Sequence, residues 1–271
     1  MKATTAIGIG LAFAMLMVAT LMEGSTPMSF INIPALLIVC GGTSGAVLAS
    51  VTIDQAKRMP ALAKVAMSGK PVEPAERIPQ MVSLAEKARR EGLLALENDV
   101  EALDDEFVKK GLQLVVDGAD SDIVAGVLRS DIDGTAERHG RNSAAFQTAG
   151  GFAPTLGILG TVMSLVHVLE NLSNPGSLGH SIAGAFLATL YGVGSANLIL
   201  LPIANKLKAL SAAELNEREM LLEAVLSVQA GENPRMLAER LRTFVPPAER
   251  AEGKAKRPEA VLEAEAVAEA A

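Results

Sequence analysis

Residues 149–169 read AGGFAPTLGILGTVMSLVHVL, and this stretch decides what kind of molecule the chain is. It contains no Asp, Glu, Lys or Arg. At roughly 1.5 Å of rise per residue, a helix of this length crosses the ~30 Å hydrocarbon core of a bilayer. Backbone surrounded by lipid has no water to satisfy its N–H and C=O groups, so an apolar run without β alternation must close its hydrogen bonds as a helix. Three more uncharged stretches follow the same rule, at about residues 3–22, 31–53 and 182–203. The expected fold class is therefore an all-α membrane protein with four transmembrane helices and a large cytoplasmic helical domain.

Composition agrees. Of the 271 residues, 49 % are hydrophobic and only 3 % aromatic, with no Trp and one Tyr, so the apolar surface is aliphatic. The mean hydropathy is +0.31. A net charge of −7 argues against a nucleic-acid partner, which calls for a basic stripe to replace phosphate counterions. The single cysteine, Cys40, lies in an apolar run and is expected to be a buried small hydrophobe. It forms no intrachain disulfide and is far short of a metal site. The first stretch has a competing reading as a signal peptide, because Lys2 precedes it. The run exceeds the roughly 7–15 apolar residues of such a segment, and no small-residue cleavage site precedes Glu23.

The links 23–30 and 170–181 carry no Lys or Arg, whereas Lys57, Arg58, Lys206 and Lys208 flank the spans on the other side. The positive-inside bias then places both termini and the long segment between the second and third spans in the cytoplasm. Five segments result: spans one and two in 1–53, a cytoplasmic helical region in 54–148, spans three and four in 149–203, cytoplasmic C-terminal helices in 204–245, and an Ala/Glu-rich, disordered or loosely helical tail in 246–271. Within the second of these, Leu84, Leu93, Leu94, Leu96, Val100, Leu103, Phe107 and Leu112 recur near helical spacing. A further helix is expected after Ser121, helical register continues from Leu207 to Gln229, and Asn233-Pro234 starts a last short helix.

An absence carries the chemistry. No span contains Asp, Glu, Lys or Arg, yet a proton carrier within a membrane needs an ionisable group. His167 is the one basic side chain in a span, near its outer end, and reads as a packing or interfacial residue. If the protein moves ions, a partner contributes the carboxylate. Pro154, Gly157, Thr161 and Ser164 share one face of the third span, and Ala185, Thr189, Gly192 and Ala196 share one face of the fourth. Small faces let helices approach closely, and they can also present a hydroxyl to water or an ion. Spacing alone favours packing and leaves the second role open. Pro154 and Pro202 each remove a backbone donor near the cytoplasmic end of a span, which suits a kink. Arg89, Arg90 and Glu97 stand out in the cytoplasmic segment, and Arg89 and Glu97, eight residues apart or just over two turns, would lie on roughly one face of a helix. Such charges suit a changing electrostatic contact, although a solvated face is the simpler reading. No nucleophile–base pair, metal spacing or phosphate loop is present: catalytic and metal residues are none, and no cofactor is implied.

The pattern resembles the MotA/PomA family of flagellar stator A subunits. Gly150-Gly151-Phe152-Ala153-Pro154-Thr155-Leu156-Gly157-Ile158-Leu159-Gly160-Thr161-Val162-Met163 is similar to that family's third-span signature. Ala188-Thr189-Leu190-Tyr191-Gly192, leading to Pro202, is similar to the start of its fourth-span motif. The segment from Ala88 through Arg89, Arg90, Glu91, Gly92, Leu93, Leu94, Ala95 and Leu96 to Glu97 resembles its rotor-facing motif. The resemblance implies a ring-shaped homopentamer in the bacterial inner membrane around two MotB/PomB-like B subunits. Each B subunit brings an ion-binding Asp on a single span, and ion passage turns the A ring around them. It further implies that Arg89, Arg90 and Glu97 engage the rotor protein FliG. Pro154 and Pro202 would couple ion flow to conformation, and Thr161 and Thr189 would face the pore. The proton is the expected ion and Na+ the alternative. The competing functions are an ExbB/TolQ-like proton-channel subunit, a family that typically has three spans, and a membrane scaffold that moves no ion.

Overall fold

The computed structural model describes residues 4–69, 74–170, 172 and 175–247, so most of the Ala/Glu-rich tail lies outside the described residues. In chain order its helices are α1 (Thr4–Met22), α2 (Ile33–Leu36), α3 (Gly42–Ser50), α4 (Ile53–Ser68), α5 (Ile78–Glu91), α6 (Glu97–Glu101), α7 (Glu106–Val116), α8 (Ser121–Glu170), α9 (Pro175–Ser195), α10 (Leu201–Gln229) and α11 (Pro234–Arg242). Two π turns, Leu37–Gly41 and Ala196–Leu200, join α2 to α3 and α9 to α10. Among the described residues, four helices or joined helices are long and apolar enough to cross a membrane: Thr4–Met22, Ile33–Ser50, Ser121–Glu170 and Leu178–Gln229. The four expected spans are there, with different ends. Ile53 does not finish the second span. Val51 is extended, and Thr52 caps a new helix by accepting from Gln55 N at 3.3 Å. The third span is the C-terminal part of a 50-residue helix that begins at Ser121, so no helix end marks residue 149.

The described chain forms two compact units, each made of two separated pieces: residues up to 71 with 137–211, and 72–136 with residues from 212 onward. These divisions fall inside α8 and α10, away from the five segments read from the sequence, because contacts follow the helix packing and not the hydropathy.

The first unit holds the spans. Their outer faces are large, apolar and exposed, as at Leu11, Leu37, Ile158 and Phe186. Water would not tolerate such contiguous apolar surface, whereas lipid matches it. Cys40 belongs to this surface: it is exposed, against the expectation of burial, because its turn of the second span faces away from its neighbours. The inner faces meet through small residues. A Cβ added at Gly150 would sit 2.6 Å from Leu201 Cδ2.

The second unit has an ordinary dry core. Met81, Leu96, Leu112, Leu128, Met220, Leu221, Leu237 and Leu241 are all fully buried. α11 starts where the Asn-Pro pair directs it, with Asn233 accepting from Arg235 N at 3.0 Å, and it turns Leu237 and Leu241 inward. Asp105 caps α7 by accepting from Phe107 N at 3.0 Å and Val108 N at 3.3 Å, a contribution of about 1 kcal/mol for such a cap. The apolar run from Leu84 to Leu112 is not one helix. Gly92 has φ +88 and ψ 164, a region open essentially to glycine alone, and it ends α5 before a 3₁₀ turn, Leu93–Leu96.

Candidate functional site

In the first unit, α8 and α9 cross at two glycines. A Cβ added at Gly157 would lie 2.9 Å from Ala188 O and 3.2 Å from Gly192 Cα, and one at Gly192 would lie 2.5 Å from Ala153 O. These backbones are in contact, and any side chain would force them apart. At Gly160 an added Cβ would meet Ala188 Cβ at 2.9 Å and Ile38 Cγ2 at 3.2 Å, so the second span closes on the same crossing. Much of the small-residue face is thus spent on packing, as spacing alone favours. Pro154 is half-buried at the same crossing. Pro202 is half-buried two residues beyond the π turn Ala196–Leu200, where the wider turn relieves the clash of a proline ring with the preceding carbonyls.

One turn above the crossing, the two predicted hydroxyls come together. Thr161 Oγ1 and Thr189 Oγ1 are 2.5 Å apart, and Thr161 also reaches Ala185 O at 2.9 Å and Gly157 O at 3.1 Å. Thr161 has one proton for three acceptors. The consistent assignment has it donate to a carbonyl and receive from Thr189. Both side chains remain half-exposed, and their oxygens keep lone pairs that can face water or a cation. No acid or base accompanies them in the spans. His167 is largely exposed and 4.0 Å from Glu170, at the end of α8, in keeping with an interfacial residue.

A contact not anticipated from the sequence holds the second span to the fourth. The Tyr191 hydroxyl donates to Phe30 O and accepts from Asn32 N at 3.0 Å. Asn32 in turn caps α2 through Ala35 N at 3.0 Å. The chain's one tyrosine therefore satisfies two backbone groups where the link 23–30 enters the span. A phenol placed mid-span was the available signal, since buried tyrosines find a partner for the hydroxyl.

In the second unit, Arg89 and Arg90 occupy the last turn of α5 and Glu97 opens α6. All three are exposed and form no ion pair among the described residues. The arginines lie where the helix dipole favours cations, and Glu97 where it favours an anion. The expectation that Arg89 and Glu97 share one helical face is incorrect, because Gly92 breaks the helix between them. What the break adds is Leu94, 74 % exposed on the 3₁₀ turn between the charges, an apolar side chain presented on a polar surface. Nearby Lys87 donates to Asp99 Oδ2 at 2.7 Å, and that bond raises the lysine's pKa. Deeper in the unit, Arg77 bridges Asp105 and Glu217, each at 3.3 Å. Glu217 is 5 % exposed; burial pushes its carboxyl above the usual range, and Arg77 draws it partly back.

Three comparisons bear on this arrangement. The MotA/TolQ/ExbB proton channel family is matched by residues 99–220. Motility protein A of Bacillus subtilis is 38% identical over 251 residues, covering 92% of this chain and 93% of that protein. Chemotaxis protein PomA of Vibrio alginolyticus is 36% identical over 251 residues, 93% and 98% of the two chains. Among solved structures, the flagellar MotAB stator complex from Bacillus subtilis superposes with a TM-score of 0.85 at 38% identity, over 92% of this chain and 98% of that one. The C. jejuni MotAB structure gives 0.86 at 30% identity, over 91% and 97%.

Proposed function

The chain belongs to the MotA/TolQ/ExbB proton channel family as an A subunit of the flagellar motor stator, and from that premise we propose how its parts divide the conversion of ion flow into torque. The paired spans α8 and α9 form one segment of a channel wall. The ion rides on a carboxylate brought by the B subunit, and five copies of this chain surround two of that partner. Protons are the transported ion. Thr161 and Thr189 line the wall at the depth of that carboxylate, and Pro154 and Pro202 let α8 and α10 change shape as it is protonated and released. The second unit faces the cytoplasm with both termini, and Arg89, Arg90 and Glu97 meet the rotor protein FliG.

One observation carries this reading: the spans hold no Asp, Glu, Lys or Arg, while two hydroxyls sit paired and half-exposed beside a glycine crossing. Such a wall can guide an ion and has no group to carry it, so function demands a partner with a carboxylate. The names of the matched structures, complexes of an A and a B protein, support that division. The role is energy conversion without bond-making catalysis. An ExbB/TolQ-like role is not favoured, since Motility protein A of Bacillus subtilis and chemotaxis protein PomA of Vibrio alginolyticus are each matched over more than nine-tenths of this chain.

The test is a strain lacking this gene. Filaments that are assembled but do not turn, with rotation restored by the intact gene, are the expected result. A strain that swims normally, with no second stator gene set to compensate, would refute the stator assignment.

A further inference from the structure

In the first unit an open groove of about 440 Å³ runs between α1 and the segment from the π turn into α10. Gly8, Ile9 and Ala12 wall one side, and Leu198 and Pro202 the other. The space exists because α1 packs loosely: none of its residues is buried. Polar groups gather at one end, where Thr4, Thr5 and Lys206 line the opening. Lys206 is half-buried and has no ion pair among the described residues. Asn197, at the far end, directs its amide donor to Val193 O at 2.9 Å. From Lys206 to Asn197 is nine residues, ~14 Å of helix at 1.5 Å each, a length suited to the upper part of an acyl chain.

We infer that this groove binds an anionic phospholipid, its phosphate against Lys206 and the Thr4 and Thr5 hydroxyls, one acyl chain lying along Ile9, Ala12 and Leu198. The chemistry is complementary from end to end. A cation and two hydroxyl donors meet the phosphate, and the apolar walls meet hydrocarbon. A polybasic or single basic residue at a membrane surface gains about 1 kcal/mol from anionic lipid. A span from a second copy of this chain fits less well, because none of the four carries a carboxylate to neutralise Lys206. The inference requires only that the Lys206 end of the groove lie at a membrane surface, so it stands or falls independently of the stator assignment.

The experiment is native mass spectrometry of the assembly that copurifies with the full chain, delipidated in detergent and titrated with phosphatidylglycerol or phosphatidylcholine. The wild-type complex is expected to retain phosphatidylglycerol in preference. Lys206→Gln should weaken that retention about fivefold, the worth of one cation at the headgroup, and Lys206→Arg should preserve it. Ala12→Trp, which fills the apolar part without touching the charge, should lower it as well. Equal retention of the two lipids, or phosphatidylglycerol binding unchanged by Lys206→Gln, overturns the proposal. If Ala12→Trp does not assemble, the Gln and Arg variants decide alone. Crosslinking of Gly8→Cys to a neighbouring protomer in a Cys40→Ser background, with no lipid preference, would assign the groove to a second copy and overturn it equally.

Discussion

Arg90 lies in the last turn of α5 with its guanidinium free among the described residues, one position from Arg89 and close in sequence to the exposed Leu94. Free cations beside an apolar side chain make a surface that engages and releases a charged partner quickly, since rim charges govern encounter more than affinity. Arg90→Glu should therefore lower torque in rotating tethered cells and leave membrane levels of the protein unchanged. Undiminished rotation would remove Arg90 from the rotor contact. Glu217 gives a prediction of another kind. Its carboxyl is held above the ordinary value of 4.5 chiefly by burial, so the folded chain keeps a proton that the unfolded chain has lost. Stability from this group is present below that value and declines as pH rises through the raised one. Thermal unfolding of the complex should consequently show a shallower loss of midpoint with rising pH in Glu217→Gln than in wild type. Identical slopes would mean that Glu217 titrates as an ordinary carboxylate.

Among the elements, the α8–α9 crossing is the most constrained contact. An added Cβ at Gly157 meets backbone atoms of α9, which cannot rotate aside as a side chain could. Overpacking of this kind costs typically about 1–3 kcal/mol or displaces the helices. Gly157→Val should abolish motility by separating Thr161 from Thr189 while the protein still inserts, measured as membrane abundance against swimming. Normal swimming would mean that the crossing tolerates a shift. The elements also show what a sequence discloses. Spans were legible because a missing charge over some twenty residues is a constraint that lipid imposes locally. The Thr161–Thr189 pair was legible only as two separate small faces, since its 2.5 Å approach depends on how two helices cross. The break at Gly92 was not legible, because the apolar spacing runs on through Leu93 and Leu96 and conceals a backbone angle. For Tyr191 the sequence signalled a hydroxyl in need of a partner but hid the partners, since Phe30 and Asn32 lie some 160 positions away.

At the scale of the whole molecule, hydropathy separates lipid-facing from water-facing segments but does not give the compact units, because α8 and α10 each contribute to both. The two units answer to different solvents. One exposes its aliphatic side chains and buries glycine, alanine and hydroxyls between helices; the other buries leucine, valine and methionine and displays charge. Only the first holds the spans, and those spans carry no Asp, Glu, Lys or Arg. The central claim is therefore that this chain is a channel wall completed by its partner's carboxylate. The most direct measurement is cytoplasmic acidification under an imposed proton-motive force, in cells expressing this chain alone, the B subunit alone, or both with the channel held open. Acidification only when both are present, and lost when the B subunit's span carboxylate is replaced by its amide, is the predicted result. Proton entry through this chain alone would contradict it.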